Sequence, residues 1–108
     1  MSIVSKILSF NLAKMIITGG NLEDSRKAIE LSNTDDRLFA TVGCHPTRCL
    51  EFEENDPDNY MRGLADLIRT NPKKVVAFGE IGLDYDRLMF CPKETQLKYI
   101  ILNVRVLV

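Results

Sequence analysis

The sequence lacks any apolar run that is long enough to cross a bilayer. Residues 100–108 are largely apolar, but Asn103 and Arg105 interrupt them, and a span needs about 20 consecutive apolar residues. The apolar stretch at residues 7–12 is short, is broken by Ser9 and Asn11, and does not have the features of a signal peptide. We therefore predict an intracellular protein of the nucleus or cytoplasm with no membrane partner.

An excess of either charge is also missing. Lysine and arginine total 14 against 15 acidic residues, so the formal net charge is −1. This balance excludes a protein that attracts nucleic acid through an overall positive field, and any polyanion must bind at a local site. The three cysteines lack a paired Cys-x2-Cys spacing, which argues against a structural zinc site. Cys44 beside His45 does not indicate a thiol nucleophile, because adjacent strand residues point in opposite directions. We predict free thiols.

The chain has no repeats, low-complexity tracts or Gly/Ser linkers, which favours one domain. Strand-like runs at residues 15–18, 38–42 and 74–78 alternate with helical patterns at 21–32, 57–71 and 92–102. Asn21 suits a helix N-cap, and Asp56 before Pro57 suits the start of the second helix. This order predicts parallel strands joined by right-handed crossovers, as in doubly wound sheets and (β/α)8 barrels alike.

Three βα units in sequential order would place all helices on one face of the sheet. The other face would then lack a partner, and the strand edges would be open to self-association. One interpretation is a small self-contained α/β domain. The interpretation that we prefer is part of a larger barrel.

Polar residues flanked by glycines follow the predicted strands. His45 follows the second strand, and Glu80 and Asp84 follow the third. Strand ends of parallel sheets meet at one mouth, where a rigid carboxylate such as Glu80 can bind metal. The alternatives are a solvated Glu80, a loop-orienting His45 and a turn-capping Asp84. The Gly19-Gly20-Asn21 segment either offers backbone N–H groups to phosphate or simply forms a sharp turn.

Three segments in this order resemble the TatD-related deoxyribonucleases. They are ITGGN at residues 17–21, TVGCHP at 41–46 and VAFGEIGLDY at 76–85. The resemblance implies a partial TIM-like (β/α)8 barrel of the metal-dependent hydrolase superfamily, with about three βα units, and hydrolysis of DNA phosphodiester bonds by the complete enzyme. It also implies divalent metal ions (Mg, Mn or Zn), two of them in the complete enzyme. Glu80 matches the family's metal-ligand glutamate, His45 the histidine near the substrate phosphate, and Asp84 an acidic residue that supports the ligands.

The sequence also departs from the family pattern. No His-x-His type pair precedes Met15, and His45 is the one histidine of the chain, so the family's other histidine ligands are missing. We therefore expect a divergent segment 1–14, a partial barrel domain 15–99 and a divergent tail 100–108, with an incomplete metal site. Two further hypotheses are another amidohydrolase-like hydrolase and a non-catalytic α/β interaction protein.

Overall fold

Three parallel strands form one sheet in the computed structural model, which describes residues 3–11 and 13–106. The strands are β1 (Met15–Ile17), β2 (Leu38–Val42) and β3 (Val75–Phe78). β2 lies in the middle and pairs in parallel with both neighbours. This sequential parallel order is the one that the sequence predicts, and it places the carboxyl ends of all three strands at the same edge.

Among the described residues, helices precede β1, connect the strands and follow β3. They are α1 (Ile3–Leu8), α2 (Leu22–Ser32), α3 (Leu50–Glu54), α4 (Pro57–Thr70) and α5 (Lys93–Val106), with 3₁₀ helices at Pro46–Arg48 and Tyr85–Arg87. Within residues 3–11 and 13–106, no helix is long and apolar enough to span a membrane. The β1-α2-β2-α4-β3-α5 order is consistent with part of a TIM-like barrel.

The predicted start signals of α2 and α4 are confirmed. The Asn21 side-chain oxygen accepts a hydrogen bond from the Asp24 N–H at 2.7 Å, and Asp56 accepts one from the Asp58 N–H at 3.0 Å. Pro57 occupies the first turn of α4, where its missing N–H costs nothing. Local sequence chemistry therefore sets where both crossover helices begin.

Two predicted boundaries differ from the structure. The segment between Gly43 and Asp56, which falls outside the predicted strands and helices, holds the 3₁₀ helix Pro46–Arg48 and α3. Five residues are too few to show a helical period, although Phe52 of α3 is fully buried. α5 also continues beyond Leu102 to Val106. Leu102 packs against the core and Asn103 is buried, and tertiary packing of this kind overrides weak helix propensity.

The core lies between one face of the sheet and the helices. Leu38, Ala40 and Val42 of β2 are fully buried there. Beside them, the Phe52 ring stacks on the Tyr99 ring with centroids 4.5 Å apart, which links α3 to α5. Alternate residues of a strand point to opposite faces, so the burial of every second β2 residue shows that the helices cover one face.

The opposite face of the sheet is uncovered, as the sequence predicts. Ile16 is 56% exposed and Val76 is 50% exposed. Phe39, between them on β2, is partly buried, and the ammonium groups of Lys14 and Lys74 lie 5.5 Å and 5.3 Å from its ring centroid. This face presents apolar side chains flanked by two cations.

An extra residue interrupts the pairing of β2 with β3. Ala40 pairs with Val75, but the next β2 residue, Thr41, pairs with Ala77. Val76 is therefore the additional residue of a bulge, which shifts the alternation of the side chains that follow it. Because of this shift, Phe78 lies opposite Val42.

Candidate functional site

The loops that follow the three strands are in backbone contact. A Cβ atom on Gly43 would lie 2.5 Å from the carbonyl carbon of Gly79, so a side chain there would displace the loop after β3. The Gly79 N–H donates to the Val42 oxygen at 2.8 Å, and the Glu80 N–H donates to the Gly19 oxygen at 3.2 Å. These contacts hold the backbone that carries Glu80 against both neighbouring loops.

His45 is oriented by its own loop. Its backbone N–H donates to the Gly20 oxygen at 2.8 Å. Its Nδ1 accepts a hydrogen bond from the Thr47 N–H at 3.1 Å and caps the 3₁₀ helix Pro46–Arg48. Because Nδ1 is an acceptor, the neutral ring carries its proton on Nε2. The loop-orienting role considered for His45 is therefore present, and it leaves Nε2–H free to point elsewhere.

His45 and Glu80 meet at the mouth of the sheet. The His45 Nε2 lies 3.3 Å from the Glu80 Oε1, with side chains 24% and 57% exposed. The structure thus brings together the two residues that the sequence singled out on neighbouring strands. A solvent-accessible carboxylate beside an imidazole N–H can accept a proton, hold a cation or contact an anionic substrate through the imidazole.

Asp84 lies on the same side of the molecule but has different partners. Its carboxylate accepts hydrogen bonds from the Asp86 N–H at 3.2 Å and from Arg87 Nη1 at 2.6 Å. The Arg87 guanidinium holds the pKa of the Asp84 carboxyl below its usual range. Asp84 therefore caps the 3₁₀ helix Tyr85–Arg87, as the alternative interpretation held, and also orients an arginine.

A buried glutamine of α5 forms hydrogen bonds with the backbone of the Asp84 loop. Gln96 of α5 is fully buried. Its Oε1 accepts from the Asp84 N–H at 2.7 Å, and its Nε2 donates to the Asp84 oxygen at 3.0 Å and the Cys91 oxygen at 2.9 Å. Sequence reasoning missed Gln96, because a polar residue inside a helical pattern is usually assigned to the solvent side.

A second network that the sequence did not reveal supports the start of α2. Asn21 Nδ2 donates to Glu51 at 3.0 Å, the Tyr60 hydroxyl donates to the same carboxylate at 2.9 Å, and the Leu22 N–H donates to the Tyr60 oxygen at 3.0 Å. Burial raises the pKa of the Tyr60 hydroxyl, so it stays protonated as a donor. In the Gly19-Gly20-Asn21 segment, the Gly19 N–H is already bonded to Thr41 Oγ1 at 3.0 Å and is not available to a phosphate.

The three cysteines are buried and free. A hydrogen bond with the Cys44 thiol raises the pKa of the Cys49 thiol, and burial raises the pKa of the Cys91 thiol. Raised values disfavour the thiolate, which is the form that attacks substrates and binds metal. These cysteines are therefore core residues in this structure.

A divalent cation does not find a complete ligand set in this part of the protein. Among residues 3–11 and 13–106, no three His, Cys, Asp or Glu side chains are grouped to hold a metal ion. His45 and Glu80 supply two donors, whereas Mg²⁺ and Ca²⁺ take about six or more ligands. The residues present do not by themselves fit the metal centre that the family resemblance implies.

Comparison with known proteins identifies the family. The sequence model of the family described as TatD related DNase matches residues 2–104 of the chain. The chain belongs to the TatD related DNase family. The family is metal-dependent, and its deoxyribonuclease members act on nucleic acid.

Curated relatives agree with this assignment. Deoxyribonuclease Tat-D of Schizosaccharomyces pombe is 39% identical over 102 residues, which are 91% of this chain and 33% of that protein. The 3′-5′ ssDNA/RNA exonuclease TatD of Enterobacter lignolyticus is 29% identical over 91% of this chain and 35% of its own length. The chain spans about a third of the length of the curated relatives that it matches.

Solved structures place the fold in the same group. A hydrolase TatD family protein from Entamoeba histolytica superposes with a TM-score of 0.76 at 44% identity, over 85% of this chain and 31% of that one. An uncharacterized amidohydrolase from Saccharomyces cerevisiae gives a TM-score of 0.75 at 28% identity, over 84% of this chain and 32% of that one. The partial TIM-like barrel predicted from the sequence is thereby confirmed.

Proposed function

We propose that this chain forms part of a nuclease that hydrolyses DNA phosphodiester bonds and contributes Glu80 and His45 to its site. The observation that carries the proposal is the 3.3 Å approach of His45 Nε2 to Glu80 Oε1 at the carboxyl ends of neighbouring strands. The family match and the relatives named as a deoxyribonuclease and an exonuclease support the substrate class.

Each residue has a defined part in this proposal. Glu80 presents its carboxylate at the mouth as a metal ligand, where the complete enzyme would hold two ions of Mg, Mn or Zn. His45 offers an N–H donor at Nε2, which can move from the Glu80 oxygen to a substrate phosphate oxygen. Asp84 supports the site indirectly, through Arg87. The cellular location, nucleus or cytoplasm, belongs to the same proposal.

A segment exchange tests the activity. The 108-residue chain replaces the matching third of the Schizosaccharomyces pombe relative, and single-stranded DNA cleavage is measured with Mg²⁺ or Mn²⁺. We expect the chimera to cleave, and Glu80→Gln to reduce the rate by about 100-fold or more, because loss of metal-site groups costs about 10- to 100-fold even outside the direct ligands. Glu30→Gln, on the exposed side of α2, is the matched control and keeps the rate. Equal rates in both variants would refute the role of Glu80.

The isolated chain gives a second test. Since His45 and Glu80 supply two donors, we expect no DNA cleavage above background and no divalent-ion binding at micromolar affinity by calorimetry. Cleavage by the isolated chain that disappears in Glu80→Gln would show that a complete site forms without further segments.

Two alternative functions have specific support. The likeness to an uncharacterized amidohydrolase favours a hydrolase of small esters or amides, which assays of the same chimera on such substrates distinguish from a nuclease. The exposed Ile16 and Val76 favour a non-catalytic protein that associates with a second copy through its uncovered sheet face. Sedimentation velocity tests this: a concentration-dependent dimer that Val76→Lys abolishes supports it, and a monomer at all concentrations excludes it.

A further inference from the structure

A cleft at the mouth of the sheet contains two arginines beside His45. Its volume is about 350 Å³, and its lining is formed by Gly20, His45, Thr47, Arg48 and Arg87. The two arginines come from different strand-end segments, Arg48 from the 3₁₀ helix that His45 caps and Arg87 from the 3₁₀ helix that Asp84 caps. The fold therefore brings two guanidinium groups to one opening.

The Asp24 contact leaves N–H donors of the Arg48 guanidinium unused. The Arg48 side chain is 48% exposed, and its Nη1 lies 3.9 Å from the Asp24 carboxylate. This separation is longer than a hydrogen bond, so Asp24 balances the charge of Arg48 without occupying its N–H groups. A guanidinium has five N–H donors, and those of Arg48 can turn toward an anion in the cleft.

Arg87 is held in place more firmly. Its Nη1 donates to Asp84 at 2.6 Å, which leaves most of its N–H donors unused by that contact. The Asp84 backbone is itself fixed by two hydrogen bonds with buried Gln96: the Asp84 N–H donates to Gln96 Oε1, and Gln96 Nε2 donates to the Asp84 oxygen. A chain of hydrogen bonds thus runs from the core through Asp84 to Arg87 and sets the direction of the guanidinium.

The arrangement of these groups favours directed binding of a single phosphate over non-specific attraction of a polyanion. Three carboxylates, those of Asp24, Asp84 and Glu80, lie beside the two arginines and His45. The cleft therefore has no excess of positive charge, and attraction depends on directed donors. Guanidinium groups match phosphate oxygens in planar, paired geometry. The Nε2–H of His45 adds a third donor.

We propose that this cleft binds a phosphate of a nucleic acid strand through Arg48 and Arg87, and that Asp84 is a positioning residue for Arg87. The inference rests on the proposed function, because it assigns that function's contact with the sugar–phosphate backbone. The proposal thus adds Arg48 and Arg87, which would bind the nucleic acid, to the residues of the reacting centre.

Binding without cleavage is the test. A fluorescein-labelled ten-nucleotide single-stranded DNA is titrated with the full 108-residue chain in EDTA, and anisotropy is followed from low to moderate salt. Each phosphate contact to single-stranded DNA contributes about −0.7 to the slope of log affinity against log salt, so two contacts should give a slope of about −1.4. Arg48→Gln and Arg87→Gln should each lower its magnitude by about 0.7 and weaken binding about three- to tenfold.

The matched control is Arg69→Gln. Arg69 also forms an i,i+3 ion pair, with Asp66, but it lies in the last turn of α4, away from the carboxyl ends of the strands. We expect this variant to bind like the wild type, with circular dichroism confirming that all variants stay folded. An equal loss in Arg69→Gln, no loss in the cleft variants, or no binding at low salt would overturn the proposal.

Asp84→Asn separates positioning from charge. If Asp84 merely neutralised Arg87, its removal would strengthen DNA binding. Because we assign it a positioning role, we expect weaker binding instead, and unchanged or stronger binding would refute that role. In the Arg87→Gln background, Asp84→Asn should produce no further loss.

Competition identifies the source of the phosphate. Oligonucleotides with and without a 5′-phosphate should bind alike, and inorganic phosphate should displace them only at far higher concentration. Displacement by inorganic phosphate at equal phosphate concentration would instead show a site for free phosphate and overturn the nucleic acid assignment. Since no cleavage is measured, failure here leaves the Glu80 proposal intact, and failure of the chimera leaves this cleft intact.

Discussion

The two faces of the sheet differ in how much of their environment this chain supplies. On the helix face, Leu38, Ala40 and Val42 are fully buried under the helices and the rings of α3, α4 and α5. On the opposite face, Ile16 and Val76 are about half exposed. The chain therefore supplies the cover of the helix face itself. The uncovered face needs a partner, which in a barrel would be the remaining strands.

The largest effect is expected from breaking the covered face. Phe52→Ala removes a fully buried ring that contacts the Tyr60 and Tyr99 rings with centroids 4.6 Å and 4.5 Å away. We expect the free energy of unfolding to fall by about 3–5 kcal/mol. Urea denaturation followed by circular dichroism measures the change. A loss below about 1 kcal/mol would show that this aromatic cluster is not part of a well-packed core.

A smaller effect is expected in the loops that follow β2 and β3, at the carboxyl ends of the strands. Gly43→Ala would place a Cβ atom 2.5 Å from the Gly79 carbonyl carbon, whereas a Cβ on Gly79 would meet nothing within 4 Å. We expect Gly43→Ala to destabilise the protein by about 1–3 kcal/mol, as overpacking does, and Gly79→Ala to be nearly neutral. The ratio of the two urea midpoint shifts tests whether the strand-end loops pack as closely as described.

The third effect concerns the opposite end of the sheet and depends on pH. Hydrogen bonds from Arg37 lower the pKa of Asp35 from 3.8 to about 2. A lowered pKa means that the stabilisation is fully present above pH 3.8 and is lost as the pH falls toward 2. We expect Asp35→Asn to remove this part of the acid sensitivity, measured as urea midpoints between pH 5 and pH 2. Asp36→Asn, at the exposed neighbouring position, should retain it.

The smallest change in stability is expected on the uncovered face. It allows the two faces of the sheet to be compared with the same substitution. Val76→Thr replaces a methyl group at a half-exposed position, and we expect a change within about 0.5 kcal/mol. The same substitution at Val42, which is fully buried, introduces a hydroxyl into the core and should cost about 1–3 kcal/mol. Equal costs at the two positions in urea denaturation would mean that a partner covers Val76 in solution.

Much of the fold was predictable because its signals are local. The Asn21 cap, the Asp56-Pro57 start and the apolar strand runs each act within a few residues of sequence, and all three are found in the structure. α3 was not predicted, because its burial depends on the Phe52 contacts with Tyr60 and Tyr99. The contact with Tyr99 joins distant parts of the sequence, and neither contact leaves a periodic pattern.

The candidate site shows the same division. Placement of His45 and Glu80 at one mouth followed from parallel topology, and their approach to 3.3 Å fits that prediction. The role of Gln96 could not be predicted, because it depends on a helix folding back under the Asp84 loop. The assignment of Glu80 to metal and of His45 to phosphate stays a prediction that the chimera tests.

The bulge at Val76 has a consequence for how this part of the protein tolerates length changes. Because β3 carries one residue more than the stretch of β2 it pairs with, Phe78 and the carboxylate two positions later leave the sheet with the opposite phase from an unbulged strand. Deleting Val76 would remove the extra residue and leave a regular ladder in which Ala77 still pairs with Thr41 and Phe78 with Val42, so the loop that carries Glu80 should keep its place beside His45.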